Sequence, residues 1–260
     1  MTEQHDQDLA SAFDKQAARF ERSPVQSDPV ALQRLVAAAG FPPGSRVLDA
    51  GCGPGLVSAS LLAAGYTIVG VDLSHEMIER ARRRCDPWSD RAEFIQVSLN
   101  DPALDRLAPF DGALSRYVLH HVVDPPGFVA RQLELLRPGG ILVVSDHTTD
   151  PLPERAAHHE AVERARDRTH TTNLTAGQLV DLFCQAGLEQ ITFAEESYVL
   201  DFDEWFDRGT PQDSKENVRA MILSDPTIRG FRATLQPGGA IRIDGIRGLA
   251  RGVKPAREPL

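Results

Sequence analysis

V-L-D-A-G-C-G-P-G, residues 47–55, decides the fold of this chain: an apolar run passes through an acidic residue into three glycines at alternate positions. An apolar segment of helical character, residues 56–64, follows at once. Glycine has no Cβ and adopts positive φ, so such a loop can approach a ligand closely, and the next helix offers it unpaired N–H groups. The stretch predicts a strand, a ligand-binding loop and a helix; a tight turn without a ligand is the alternative.

The spacing of the glycines narrows the choice of ligand. Dinucleotide sites use G-x-G-x-x-G, whereas this loop is G-x-G-x-G, with Leu56 where the third glycine would fall. Asp72 ends the next apolar run, T-I-V-G-V-D, about 20 residues further on, where a carboxylate can accept both hydroxyls of a ribose. A helix cap is the alternative role for Asp72.

Short β-rich runs alternate with helical segments on both sides of this loop, which predicts β-α-β units and a mostly parallel α/β sheet. Residues 7–22 have an amphipathic helical pattern, and residues 152–170, dense in Glu, Arg, Ala and His, predict an inserted, largely solvated helix. Residues 201–236 are predicted to be helical and irregular. The predicted strands are residues 47–49, 67–72, 92–97, 110–115, 141–146, 191–200 and 241–253.

We expect a single domain over residues 1–260. Its predicted parts are a helical N-terminal cover (1–40), a ligand-binding core (45–150), an inserted helical segment (151–175), and a C-terminal helix and strands with a helical insertion (176–260).

Composition excludes several classes of protein. The net charge of −9 disfavours a nucleic-acid partner, because phosphate neutralisation needs clustered Lys and Arg. Three widely spaced cysteines indicate neither a disulfide framework nor a paired metal site. The polar N-terminus lacks a signal-peptide pattern, and no apolar stretch reaches membrane-spanning length. These features predict a cytoplasmic location and no membrane partner; they are compatible with a homodimer without determining the oligomeric state.

Three motifs together resemble the class I S-adenosylmethionine-dependent methyltransferases, and in particular the small-molecule enzymes of the ubiquinone and menaquinone biosynthesis type. They are the glycine loop, F-D-G-A-L-S-R-Y-V-L-H-H-V-V-D-P (residues 110–125) and R-P-G-G-I-L-V-V-S-D (residues 137–146). The resemblance covers roughly residues 45–150. It implies a Rossmann-like fold with a mostly parallel seven-stranded sheet and helices on both faces. It also implies S-adenosylmethionine as methyl donor and S-adenosylhomocysteine as product.

The resemblance assigns the cofactor site. Asp49 would position the methionine end, the glycines would make room for the cofactor, and Leu73 and Met77 would lie beside adenine, although core packing is an alternative for Met77. Relatives often carry an Asp for the adenine amino group where this chain has Ser98. The predicted cofactor-binding residues are Asp49, Gly51, Cys52, Gly53, Gly55, Asp72, Leu73, Met77, Ser98, Leu99 and Ser115.

The acceptor site is predicted at the carboxyl end of the fourth strand, where open α/β sheets bind ligands. Arg116, Tyr117 and His120 are the predicted substrate-binding residues, and His121 and His147 are the candidate general bases. Adjacent residues on a helix point about 100° apart, so only one of His120 and His121 should enter a pocket. A solvated loop histidine is the alternative for each.

No metal is expected. His159 and Glu163 form an i, i+4 pair within H-H-E-A-V-E, but an exposed, charged helix face is the favoured interpretation.

The sequence therefore predicts methyl transfer from S-adenosylmethionine to a small metabolite. The alternatives are a non-methylating enzyme of the cyclase type that uses the same cofactor, a cofactor-binding regulatory module without turnover, and an NAD-dependent reductase, which the glycine spacing disfavours.

Overall fold

Nine strands form one sheet in the structure, a computed structural model that describes residues 3–256. The strands are β1 Arg46–Ala50, β2 Thr67–Asp72, β3 Ala92–Gln96, β4 Phe110–Arg116, β5 Leu136–Thr149, β6 Leu174–Thr175, β7 Glu189–Asp201, β8 Phe231–Leu235 and β9 Ile241–Val253. Their order across the sheet is β3-β2-β1-β4-β5-β9-β7, with β6 beside β5 and β8 beside β9.

The strand order reverses between β1 and β4. Strand β1 pairs in parallel with β2 on one side and with β4 on the other, and β3 and β5 extend the sheet in the two directions. Strand β9 lies antiparallel between β5 and β7. In open α/β sheets the point of reversal opens a crevice at the carboxyl ends of the strands, so the topology places a ligand site beyond β1 and β4.

Ten α-helices occur in the described residues, and several begin at residues with the expected capping chemistry. Asp28 caps α3 by accepting the N–H of Val30, Ser74 caps α5 by accepting the N–H of Met77, and Thr175 and Gln178 form a reciprocal capping box at α8. The helices are α1 Glu3–Arg22, α2 Pro24–Ser27, α3 Pro29–Ala39, α4 Leu56–Ala63, α5 His75–Cys85, α6 Pro125–Leu135, α7 Pro153–Arg166, α8 Ala176–Gln185, α9 Phe202–Arg208 and α10 Lys215–Ser224.

Helices cover both faces of the sheet, and apolar side chains pack between the helices and the strands. Alternation along β1 sends Val47 into the core that α3, α4 and α5 cover, and Leu48 into the core that α6 and α8 cover. Burial on both faces explains why the parallel strands have nearly continuous apolar sequences. A third cluster, which includes Val162, Trp205 and Phe231, joins α7, α9, α10 and the β8–β9 hairpin into a separate layer, here called the cap layer.

All seven predicted strands are present, and the predicted Rossmann-like fold class is confirmed. Strands β6 and β8 are additional. Strand β6 has only two residues, too few for a periodic pattern, and β8 lies in the segment predicted to be helical and irregular.

The prediction of a largely solvated helix over residues 152–170 was wrong. Helix α7 buries His159, Val162 and Glu163, because its charged and polar side chains find partners inside the protein. His159 Nδ1, for example, lies 2.9 Å from Thr149 Oγ1. Sequence composition shows only that these residues are polar, and not that they pair with one another.

Within residues 3–256, no helix combines the length and the apolar character that are needed to cross a membrane.

Candidate active site

The glycine loop leaves β1 in the left-handed conformation that its composition predicted. Gly51 has a φ of 74°, and a Cβ on it would lie 2.5 Å from Val118 Cγ2, so any side chain here would force the β4 loop away. Gly53 has a φ of 51° and open space where a Cβ would stand. The loop therefore presents bare backbone to the crevice beyond β1.

A cavity of about 1030 Å³, its open mouth included, occupies this crevice. Its size suits a nucleoside-sized ligand together with a small second molecule. Twelve of the residues predicted from the sequence line it: Asp49, Gly51, Cys52, Gly53, Asp72, Leu73, Met77, Ser98, Leu99, Arg116, Tyr117 and His121.

Four predicted residues are not in the cavity lining: Gly55, Ser115, His120 and His147. A Cβ on Gly55 would lie 2.9 Å from Ala81 Cα, so this glycine serves the close packing of α4 on α5. Ser115 is buried within β4, and its hydroxyl has no hydrogen-bond partner among the described residues.

Two carboxylates reach the cavity from the ends of β1 and β2. Asp49 is buried and accepts a hydrogen bond of 2.6 Å from Ser58 Oγ. Asp72 accepts the N–H of Gly53 and the N–H of Ser74, each at 2.9 Å. Burial raises the pKa of each carboxyl to about 6. Both groups are thus fixed in position as hydrogen-bond acceptors, and both are mostly ionised near neutral pH.

Helix α1 forms the roof of the cavity. Leu9, Phe13 and Phe20 face into it. The helix is tied to α5 by polar contacts: Asp14 Oδ1 accepts the Ser74 hydroxyl at 2.6 Å, and Glu21 pairs with Arg84 at 2.7 Å and with Arg80. A ligand in the cavity would therefore be enclosed between the glycine loop and α1.

Asp6, on α1, is a candidate residue that the sequence reasoning missed. Its Oδ2 accepts a hydrogen bond of 3.1 Å from Ser98 Oγ, and its Oδ1 is buried without a hydrogen-bond partner among the described residues. Asp6 thus places a carboxylate against Ser98, which lines the cavity. No local signal could have shown this, since the two residues are 92 positions apart.

His121 presents a defined face to the cavity. Its Nδ1 lies 3.0 Å from the backbone oxygen of Thr169, and a carbonyl only accepts, so Nδ1 carries the proton and Nε2 has the free lone pair. Burial, together with the charge of His120, lowers the pKa of His121 to about 3. The ring is therefore neutral at physiological pH. Phe13 packs edge-on against it, with centroids 5.0 Å apart.

His120 and His147 belong to a buried polar cluster beside the cavity. Asp146 Oδ1 lies 2.6 Å from His120 Nδ1, and His147 Nδ1 lies 2.6 Å from the Tyr198 hydroxyl. Burial lowers the pKa of His120, but the charge of Asp146 and the hydrogen bond to it raise the pKa above its ordinary value. Of the two adjacent histidines, His121 lines the cavity and His120 does not.

No metal was predicted from the sequence, yet His120, Asp146 and His147 bring one potential ligand atom each within 4.8 Å of one another. Protein partners already account for these groups. Besides His120, Asp146 accepts the backbone N–H groups of Leu119 at 2.6 Å and of His147 at 2.7 Å. We therefore interpret the trio as a structural network.

Tyr117 and Arg116 complete the cavity at the end of β4. Tyr117 has a φ of 57°, a conformation that is uncommon for a residue with a side chain and that clusters at functional sites. Its hydroxyl accepts a hydrogen bond of 2.7 Å from Arg247. The guanidinium of Arg116 lies over the Tyr117 ring, 4.6 Å from its centroid.

Comparison with known proteins agrees with this geometry. Residues 25–192, well over half of the chain, match the family model described as "Methyltransferase domain". This chain belongs to that methyltransferase family. The family predicted from the sequence is thereby confirmed, and membership supports S-adenosylmethionine as the cofactor.

Individual relatives point in the same direction. The chain is 34% identical to the demethylmenaquinone methyltransferase of Clavibacter sepedonicus over 146 residues. The matched region covers 56% of this chain and 58% of the relative. It is 33% identical over 124 residues to the ubiquinone biosynthesis O-methyltransferase of Xanthomonas campestris, covering 48% and 52%. This methyltransferase chain thus spans a little over half the length of the curated relatives it matches.

A solved structure from Bacillus halodurans superposes with a TM-score of 0.77 at 22% identity, covering 87% of this chain and 99% of that one. At this identity the likeness concerns the fold.

Proposed function

We propose that this methyltransferase transfers a methyl group from S-adenosylmethionine to a small, largely apolar molecule. The observation that carries the proposal is the cavity at the point of strand reversal, where the glycine loop, two fixed carboxylates and the neutral His121 ring face one space. The names of the relatives support a hydroxylated ring compound as acceptor, since one of them is an O-methyltransferase of ubiquinone biosynthesis.

The residues present fit the cofactor. Bare backbone at Gly51 and Gly53 leaves room for it, Asp49 would hold the ammonium of the methionine end, and Asp72 would accept the ribose hydroxyls. The buried, unpartnered Oδ1 of Asp6 would accept the adenine amino group in place of the Asp that Ser98 replaces.

The acceptor would bind beneath α1, between Phe13, Phe20 and Tyr117. When bound, S-adenosylmethionine supplies an electrophilic methyl group on sulfur. The protein's own part is to align the acceptor with that methyl group, to exclude water, and to receive the proton of a hydroxyl nucleophile. His121 lines the cavity and its Nδ1 is occupied by the Thr169 carbonyl, so we assign the last task to its Nε2.

Titration calorimetry with S-adenosylmethionine, S-adenosylhomocysteine and NADH in parallel tests the cofactor. We expect both sulfur nucleosides to bind and NADH not to bind; binding of NADH alone would contradict the proposal. Turnover is then tested with methyl-labelled S-adenosylmethionine and a panel of catechols and naphthoquinols. Labelled product in the organic phase supports methyl transfer.

The same experiment separates the alternatives drawn from the sequence. A non-methylating enzyme would change the structure of its substrate without incorporating label, and a regulatory module would bind S-adenosylhomocysteine without any turnover.

A further inference from the structure

Arg116 differs from every other buried arginine in the part of the chain that the structure describes. Four arginine residues are buried: Arg116, Arg166, Arg208 and Arg247. Arg166 pairs with Asp167 at 3.2 Å, Arg208 with Glu204 at 2.5 Å, and Arg247 with Glu196 at 2.6 Å. Arg116 alone has no carboxylate partner among residues 3–256.

The contacts of Arg116 include no direct ion pair: Asp49 and Glu196 act on its charge, but neither carboxylate forms a salt bridge with it. Nη1 donates to the backbone oxygen of Gln26 at 2.9 Å and Nη2 to that of Val25 at 3.1 Å. These bonds use two of the five N–H donors of the guanidinium, and neither partner carries a formal charge. The side chain is only 8% exposed, and a buried cation without an anion is costly, so proteins normally pair such groups.

The surroundings show where the missing anion would come from. Arg116 lines the same cavity as Asp49 and Asp72, and it is the only Lys or Arg among the residues that line it. Its two backbone bonds hold the guanidinium against α2 at the cavity wall. Guanidinium binds carboxylate with two parallel hydrogen bonds, which makes a carboxylate the matching ligand.

We propose that Arg116 is the carboxylate-binding residue of this cavity. This inference rests on the proposed function, in which the cavity binds a cofactor and an acceptor. Either of these ligands can supply the carboxylate. One is the amino-acid end of the cofactor, beside Asp49. The other is an acidic group on the acceptor, which would make the acceptor a carboxylate-bearing compound. In either case the ligand supplies the carboxylate that pairs with Arg116.

The test compares wild type with Arg116→Gln by calorimetry, using S-adenosylhomocysteine, its decarboxylated analogue and benzoate as probes. If the cofactor is the source, wild type prefers S-adenosylhomocysteine over the analogue by about tenfold to a hundredfold, and Arg116→Gln binds the two equally. If the acceptor is the source, Arg116→Gln binds both nucleosides as wild type does but loses the binding of benzoate. The proposal is overturned if wild type and Arg116→Gln bind each of the three probes with the same affinity. It is also overturned if Arg116→Gln loses the same affinity for both nucleosides and still binds benzoate as wild type does.

Two further variants keep the test interpretable. Arg116→Lys retains the charge without the paired donors, so it should keep only part of the discrimination even if Arg116→Gln is too unstable to study. Arg251→Gln is the matched control, because Arg251 also donates to a backbone oxygen, that of Ala39 at 3.0 Å, but does not line the cavity. It should bind all three probes as wild type does.

Failure of the proposed function gives a different result. In that case wild type binds neither nucleoside, and the comparison of benzoate binding between wild type and Arg116→Gln still decides the role of Arg116.

Discussion

At the scale of single residues, the site depends on carboxylates that are buried, although burial makes their ionised form less stable than it is in water. Asp72 illustrates this. Two backbone N–H groups hold its oxygens at the end of β2, while burial raises the pKa of the carboxyl to about 6. A group held in this way is less stable when ionised than it would be in water, and a ligand with hydroxyl donors would recover part of that loss. The same reasoning applies to Asp49.

We therefore predict that the affinity for S-adenosylhomocysteine is constant above about pH 7 and falls below pH 6. The raised pKa means that Asp49 and Asp72 take up protons in the free protein as the pH falls through 6, and these protons must leave before the ligand binds. Asp72→Asn should weaken binding by about tenfold to a hundredfold at pH 7.5 and flatten the fall at low pH. Calorimetry from pH 5 to 8 measures both effects.

Asp90→Asn is the control for this titration, because Asp90 is exposed and does not line the cavity. An affinity that does not change between pH 5 and 8 in the wild-type protein would show that neither carboxylate holds the ligand.

A second prediction concerns His121. His121→Asn should lower kcat by roughly a hundredfold or more, because it removes the Nε2 atom that we assign as the base, while the affinity for S-adenosylhomocysteine stays near that of wild type. His147→Gln is the matched comparison, since His147 was an equal candidate in the sequence but does not line the cavity. Full turnover by His121→Asn, measured with a methyl-accepting catechol, would eliminate His121 as the base.

These residues differ in how far the sequence could identify them. Asp49 lies near the end of β1 and Gly51 and Gly53 follow it in one unbroken motif, so local spacing was enough to predict their places. His121 could be separated from His147 only by tertiary structure, because the Thr169 carbonyl that fixes its ring comes from a loop 48 residues away. Asp6 lies in a helix that has no motif. Its contact with Ser98 arises from the docking of that helix.

At the scale of elements, α1 is the part whose role depends most on docking. Its amphipathic pattern predicted a helix, but its apolar face could equally have packed on another surface. The structure fixes its position by charge: Glu21, near its C-terminal end, lies between Arg80 and Arg84 of α5. These pairs are partly exposed, so each contributes modestly and they can open without unfolding the domain.

We predict that Glu21→Gln speeds the release of S-adenosylhomocysteine by about twofold to tenfold while leaving the melting temperature of the ligand-free protein nearly unchanged. The reason is that α1 covers the cavity through Leu9 and Phe13, and the substitution weakens the contact that keeps it closed. Stopped-flow displacement measures the rate. Glu79→Gln is the control, because Glu79 pairs with Arg82 within α5 and does not contact α1. Equal release rates for the two variants would mean that α1 does not control exit.

At the scale of the whole molecule, the protein consists of a sheet with two covered faces and an added cap layer. The two sheet cores contain the strands that carry the glycine loop and Asp72, whereas the cap layer contains Trp205, Phe206 and Phe231 in a cluster of their own. Alternation of strands and helices predicted the first part. The second was predicted only as helical insertions, because its hydrophobic residues meet across segments that are distant in the sequence.

This division predicts that damage to the cap layer stays local. Trp205 is 3% exposed in the cap cluster, so Trp205→Ala should cost about 3 to 5 kcal/mol where the cluster cannot collapse around the lost ring. Because the cap cluster is separate from the two sheet cores, we expect faster hydrogen exchange in α9, α10 and β8 but unchanged protection in β1 and β2. Val71→Ala, in a sheet core, should instead raise exchange in β1 and β2. Exchange that rises uniformly over the chain in Trp205→Ala would show that the cap and the sheet unfold as one unit; local exchange would mean that the cap layer opens while the glycine loop keeps its geometry.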